Sequence, residues 1–546
     1  MKLKRILVGM FGIVLLSTTA CTDLDTFPEG GILTNDQKKE TVEANPELLA
    51  ADISGMYSLL GQQYAVFGSS RGRHDDFGYP FVCLAQDCNG PDMVTDNSNY
   101  NWFSTSSTFE DRNETYANPY MRWALFYKQI KLANDIIKAI PAETENPTLK
   151  AYLGQAYAIR AFDYLSLAPN YQFKYKGNED KPCVPIVTPE VADPSNNPRA
   201  TVKQVYDFII SDLDKAIALL EGYNRTSKGE IDQRVAYGLR ARANLYMENW
   251  QAAADDATAA MQGFTPYSIA DVSKPAFINA NDPNWMWAII ITPANISAPY
   301  PSWPAKLSSF SGDAYTTAVG CYKMVNRLLF DLIPATDVRK GWWVDENLHS
   351  PNLQNVTWNG VSGDAVASLA IPDVKMPFLP YTNVKFAQYG GPGSNVNAGD
   401  WCIMRVEEMI LIKAEALGMI NEAQGKQVLQ DFVSTYRDPS YNVNASPRSF
   451  RDEVWFQRRV ELWGEGFAFA DVMRLGKNIV RFKPNVNSNF PEAHRFNIAA
   501  NDGWLLLRIP QAETNVNLGI PPSANNNEGT KPVSLQNPTL TDGVTD

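Results

Sequence analysis

Over residues 232–263 the chain writes two helices in quick succession, and small side chains recur along them at intervals that limit how they can pack. Ala241 lies twelve residues before Ala253, and Ala253 seven before Ala260. That spacing lets the two helices of a tetratricopeptide unit approach closely, with Tyr246 and Trp250 as bulky neighbours. Alanine favours helix whatever it packs against, so one such pair says little. Its recurrence says more: IKAEALGMINEAQ repeats the theme with Ala414, Ala416, Gly418 and Ala423, and leads into a second helix ending near Tyr436. Helical repeat elements over about 119–263 and 402–436 therefore predict a mainly α fold, a tetratricopeptide-like helical solenoid packed with long loops and a few short strands.

The other helices follow from the same period. Residues 51–61 fit a short one. Over 119–140, Trp123, Phe126, Ile130, Ala133 and Ile137 keep helical spacing until Pro141 stops them. Residues 147–167 form the next, and 201–220 another, with Val205, Ile209, Leu213, Ala216 and Leu220 in register and Thr201 as N-cap. Between the helical blocks, residues 68–118 and 266–401 are rich in Pro, Gly, Asn and Ser, and the second holds strand-like runs such as MWAIIIT from Met286. Irregular segments of that length carry function or are insertions.

The N-terminus reads as a secretory signal over residues 1–20. Lys2, Lys4 and Arg5 precede an apolar run over 6–16 that is too short to span a bilayer, and small residues lead to Cys21. A cysteine directly after Ala20 is the arrangement of a bacterial lipoprotein, with Cys21 carrying the acyl chains. Thr18 stands where leucine is usual, which leaves cleavage by the general signal peptidase as the alternative. Residues 21–546 then form a single body. Losing the signal removes three positive charges and no negative ones, so the formal charge moves from −12 to −15. An acidic chain without a dense Lys/Arg cluster lacks the footprint that nucleic-acid binding requires.

Catalytic and metal motifs do not emerge. After Cys21 the cysteines are Cys83, Cys88, Cys183, Cys321 and Cys402, and only Cys83 and Cys88 are near enough in sequence to suggest a loop bridge. His74, His349 and His494 are scattered and read as solvent-facing or loop residues; no cofactor or metal is expected. GxSxG, Walker and GxGxxG signatures are missing from the sequence. Glycoside hydrolysis needs only two placed carboxylates, and Asp75, Asp76, Asp92 and Asp96 keep a surface hydrolase as the alternative. The preferred reading, a binding protein, draws on loop aromatics such as Tyr79, Tyr100, Trp102, Trp285, Trp287, Tyr300, Trp303, Tyr315, Trp342 and Trp343 amid Asn, Asp and Ser. Aromatic faces stack on the C–H faces of sugar rings while neighbouring amides and carboxylates bond the hydroxyls.

The densest motif is FQRRVELWGEGFAFADVMRLGK over 456–477. Phe456, Val460, Trp463 and Phe467 form one stripe; Arg458, Arg459, Glu461 and Glu465 bring opposite charges together at i+3 and i+4 spacing; Gly464 and Gly466 turn the chain. Neighbouring guanidiniums favour ionised carboxylates, whereas a general acid needs a raised pKa, so the acids are read as a structural ion-pair network clamping a helix corner. The run resembles the "ErRvELwgEG…DlmR" signature of the SusD/RagB family of outer-membrane nutrient-binding lipoproteins. Gln457 replaces the usual acid, and Ala468 a common arginine. The resemblance extends to CTDLDTFPEG from Cys21, AYAIRAFDYLSL from Ala156, VYDFIISDLDKAIALL from Val205, Asp337 and Arg339 of a "dlfp..D.R" element, and Ile509, Pro510, Glu513 and Asn517 of the closing "llpIP..E...N".

What this implies is a SusD-like lid, lipid-anchored and exposed at the cell surface, on a SusC-like TonB-dependent barrel of the outer membrane, passing oligosaccharides to it. Peptide cargo is the alternative within the family. By position within loops, the resemblance also implies a ligand site on two loops far apart in sequence. One holds Tyr100, Asn101 and Trp102, the other Tyr300 and Trp303, with core packing as the competing reading for either tryptophan.

Overall fold

The computed structural model describes residues 35–98, 100–191 and 193–546; the signal and Cys21 lie outside them. After an opening helix over Asn35–Ala44 come a short helix, α1 (Ala50–Gly61), and a buried one, α2 (Tyr79–Asn89). A row of helices follows, each packed on the next: α3 (Ala117–Ala139), α4 (Pro147–Tyr171), α5 (Val202–Leu219), α6 (Gln233–Met247), α7 (Trp250–Ala260), α8 (Val406–Ile420) and α9 (Glu422–Tyr436). Local chemistry sets the ends. Asn146 accepts from the Thr148 and Leu149 N–H groups at the start of α4, and Thr201 and Gln204 form a reciprocal capping box on α5. Helix α4 runs past the expected end at 167 to Tyr171 with Pro169 inside its last turn, where the missing N–H leaves one i→i−4 bond unmade.

Small residues set how closely the row packs. Ala241, Ala253 and Ala260 are fully buried, as are Ala414 and Ala416. Gly418 and Gly425 mark the tightest approach: a Cβ on Gly418 would lie 1.9 Å from the Phe450 ring, and one on Gly425 2.4 Å from the Gly418 Cα. Ala423, grouped with them on sequence, is exposed, and Gly425 takes its expected place.

The row is broken in sequence but continuous in space. Helix α7 ends at Ala260, α8 begins at Val406, and the two pack directly together, so residues 261–405 leave the row and return to it. At the root of this excursion Trp285–Ile289 pairs antiparallel with Trp401–Arg405, placing Trp285 opposite Arg405 and Ile289 opposite Trp401. The excursion is far from an open loop. It carries its own core of Phe310, Tyr322, Val344, Trp358 and Phe378, and buries Trp285, Trp287, Trp342 and Trp343.

Residues 68–118 also depart from the irregular reading, because they contain α2. Its sequence, YPFVCLAQDCN, is buried from Pro80 to Asn89, so no polar face marks its helical period. Cys83 and Cys88 lie on it as free thiols rather than as a loop bridge. His494 departs as well: it is fully buried, whereas His349 is exposed and pairs with Asp364.

Helices α10 (Phe450–Glu461) and α11 (Ala468–Leu475) form the corner expected over 456–477, with Gly464 and Gly466 at φ +81° and +92°. A Cβ on Gly466 would stand 2.6 Å from that of Cys83, and Asp87 of α2 accepts from the Gly466 and Ala468 N–H groups. The ion pairs reach further than the i+3 and i+4 neighbours. Glu461 binds Arg437 (2.8 Å), Arg405 (2.8 Å) and Arg339 (3.1 Å), all distant in sequence. Arg458 goes instead to Asp471 and Arg459 to Asp92 and Asp542. Gln457 accepts from Arg339 and donates to Glu453, so an amide fills the acid's position in the network.

Candidate functional site

The loop after α1 is closed on itself. Tyr64 N–H donates to the Asp76 carbonyl, and the Asp76 carboxylate accepts from Val66 and Phe67 N–H at 2.8–3.1 Å. This folds residues 64–76 back and holds Arg73 and His74 at one place on the surface. A second loop follows Met93–Thr95, the strand that pairs with Lys323–Val325. There Asn101 donates to Thr95 Oγ1 (2.7 Å) and to the Asp96 carbonyl (2.6 Å), and accepts from Phe103 N–H. Its side chain is spent on bracing the loop, and it is buried. Trp102 is half-buried and Tyr100 is 58 % exposed.

A third loop, around Tyr300, is pinned from both sides. The Gln63 amide at the end of α1 accepts from Ser297 and Ala298 N–H and donates to the Ala298 and Pro301 carbonyls. Asn397 donates to the Pro299 carbonyl. Tyr300 itself donates to Asp313 (3.1 Å).

These loops converge on His74. Its ring centroid is 5.6 Å from that of Trp102, 5.3 Å from Tyr300 and 5.8 Å from Tyr315; Tyr300 and Tyr315 are 5.5 Å apart. All four rings are half-buried. His74 Nδ1 sits 2.6 Å from the Tyr315 hydroxyl. Burial, and then the nearby Lys306, hold the imidazole below its ordinary pKa, so it is neutral at pH 7. Beneath the rings the Lys306 Nζ lies 3.5 Å from the Tyr315 centroid and 5.5 Å from that of Trp102, with no hydrogen-bond partner among the described residues. Burial pushes Lys306 well below the usual lysine range against the pull of Asp75. Arg73 stacks over Trp102 (5.5 Å) and pairs with Asp75 (2.7 Å).

Of the five expected ligand residues, the structure gathers Trp102 and Tyr300 at one cluster and leaves Tyr100 exposed beside Trp102 in sequence. Trp303 departs from the expectation. It is 1 % exposed, donates to the Gly399 carbonyl (2.8 Å) and packs edge-on against Trp401 and Phe386. Asn101 departs too, as the brace described above. Tyr315 carried the signal of a loop aromatic; His74 and Lys306 carried none, since a lone histidine or lysine has no motif. The four aspartates named with the hydrolase alternative each have a framework partner, Asp75 with Arg73, Asp76 with two amides, Asp92 with Arg459 and Asp96 with Ser98 N–H, while Oδ1 of Asp75 and of Asp96 has none among the described residues.

A half-buried group of aromatic faces rimmed by polar side chains suits a ligand with both apolar faces and hydroxyls. A family model described as "Starch-binding associating with outer membrane" matches residues 84–245, and one described as "SusD family" matches 336–529. The SusD-like protein P38 of Formosa agariphila is 22 % identical over 396 residues, 66 % of this chain and 73 % of that protein. A SusD-like carbohydrate binding protein from Bacteroides vulgatus superposes with a TM-score of 0.69 at 24 % identity, covering 87 % of this chain and 96 % of its own. For a SusD superfamily protein from Bacteroides thetaiotaomicron the score is 0.65 at 21 % identity, over 89 % and 99 %. No helix among the described residues is long and apolar enough to cross a membrane.

Proposed function

The chain belongs to the SusD/RagB family, whose two models together match more than half of it, and from that premise we propose that it is a nutrient-binding lipoprotein of the outer membrane. It captures oligosaccharides at the cell surface and delivers them to a SusC-like, TonB-dependent transporter, with acyl chains on Cys21 as its anchor. The observation that carries the ligand class is the convergence of Trp102, Tyr300 and Tyr315 around His74 from separate loops. Half-buried rings there offer faces for sugar C–H groups, and the Tyr300 hydroxyl, whose proton goes to Asp313, keeps lone pairs that can accept from a sugar hydroxyl. A protein that only binds needs no acid and base across the site.

Isothermal titration against a panel of polysaccharides, oligosaccharides and peptides, with released reducing ends assayed in parallel, tests this reading. Binding of a glycan without reducing-end release is the expected result. Trp102→Ala should weaken that binding by about tenfold or more, roughly 1.4 kcal/mol. Reducing-end release would restore the hydrolase alternative, and binding of peptides alone would make this a peptide-capturing member.

A further inference from the structure

Next to the aromatic cluster, on the far side of Arg73, lies a cavity of about 640 Å³. Its floor is aromatic: Phe67 and Tyr120 face one another with centroids 5.4 Å apart, and Tyr116 stands exposed at the rim. Two guanidiniums share Phe67, with Arg71 5.3 Å and Arg73 5.7 Å from its centroid. Arg73 also reaches Trp102, so the cavity and the cluster are continuous through one side chain.

The arginines differ in what they hold. Arg73 is paired with Asp75. Among the described residues Arg71 is the one arginine whose guanidinium makes no hydrogen bond or ion pair. Stacking on Phe67 occupies the flat face of a guanidinium and leaves its N–H edge free, in the fork that fits a carboxylate or a sulfate ester. The carboxylate on the cavity wall, Glu114, accepts instead from Asn525 (3.3 Å). In a chain of net charge −12, leaving this one guanidinium open beside a sugar-type aromatic floor favours an anion supplied from outside.

We propose that this cavity is a subsite for an acidic sugar unit, one bearing a carboxylate or a sulfate ester, with Arg71 binding the anion while Phe67 and Tyr120 receive the ring. A glycan would then run from the His74 cluster past Arg73 into the cavity. This inference rests on the capture reading and narrows its substrate class.

The test uses matched probes on the whole exported protein: oligogalacturonate against its methyl ester, and a sulfated galactan oligosaccharide against its desulfated form. Wild type should prefer at least one acid over its neutral match by about tenfold, and added salt should shrink that preference. The arm that shows it tells carboxylate from sulfate. Arg71→Gln, on an exposed side chain, should bring the preference to about one, whereas Trp102→Ala should weaken acid and neutral probe alike. Neutral probes bound as well as the acids, or a preference that survives Arg71→Gln, would overturn the subsite and leave glycan capture standing. Failure of every glycan to bind would overturn both.

Discussion

At the scale of single residues, two kinds of side chain that look alike in sequence have opposite duties. Glu461 is wholly buried and holds the guanidiniums of Arg437, Arg405 and Arg339. Glu461→Gln leaves three buried cations short of charge, so folding stability should fall by about 3–5 kcal/mol in denaturant titrations. Glycan affinity of the folded fraction should hold, because the network lies within the core. Trp102 and Trp303 form a matching contrast. Trp303→Ala empties a packed site and cuts a hydrogen bond to Gly399, and should cost about 3–5 kcal/mol of stability. Trp102→Ala should cost affinity and leave the melting temperature nearly constant. If Trp303→Ala instead kept full stability and lost glycan binding, the division between core and site drawn here would be wrong.

Among elements, the close approach of α8 and α9 shows what small residues do. Gly425 faces the Gly418 backbone, and backbone cannot swing aside as a side chain can. Gly425→Ala should therefore force the pair apart and destabilise the protein by about 1–3 kcal/mol. Exposed Ala423→Ser should be nearly neutral. Equal effects at the two positions would mean that the helices do not meet there. Helix periods with one polar face, as in α3 and α5, were legible from spacing alone. Helix α2 was not, because burial on every side erases the contrast that periodicity needs.

For the whole molecule, buried ion pairs set the response to acid. Burial alone would raise Glu461, but Arg437 and Arg405 outweigh it and hold the group well below its ordinary value; Glu465, Asp471 and Glu415 are lowered by their own arginines against the same burial. Their folded pKa values lie beneath the unfolded ones. The stability they contribute is thus present above about 4.5, the ordinary glutamate value, and is lost as pH falls through the folded values. Asp87 has the opposite sign: burial raises it to about 7 despite the N–H groups of Gly466 and Ala468, so its contribution is full below about 3.8 and declines as pH rises towards 7. Denaturant titrations at a series of pH values should show stability dropping steeply below pH 4.5. A flat profile there would mean that the carboxylates are not ion-paired. The anchor belongs to this scale as well. Cys21→Ser should release soluble protein on fractionation of cells lacking the barrel, and retention in the membrane would refute the lipoprotein reading.

By itself the sequence determined the helical row, the corner at 456–477 and the family, because each is written in local spacing, in small residues or in a contiguous motif. Tertiary structure alone decided the rest. Helix α8 continues the row from α7 across 261–405 because their apolar faces fit each other, which chain order does not encode. Glu461 found Arg339, Arg405 and Arg437 rather than its neighbours because a buried carboxylate takes the cations that packing delivers. Tyr300 came to the surface cluster while Trp303, three residues on, turned inward to Gly399. Loop composition is the same at both positions; the pins at Gln63 and Asn397 hold the loop, and Trp303 has its own buried partners in Gly399, Trp401 and Phe386.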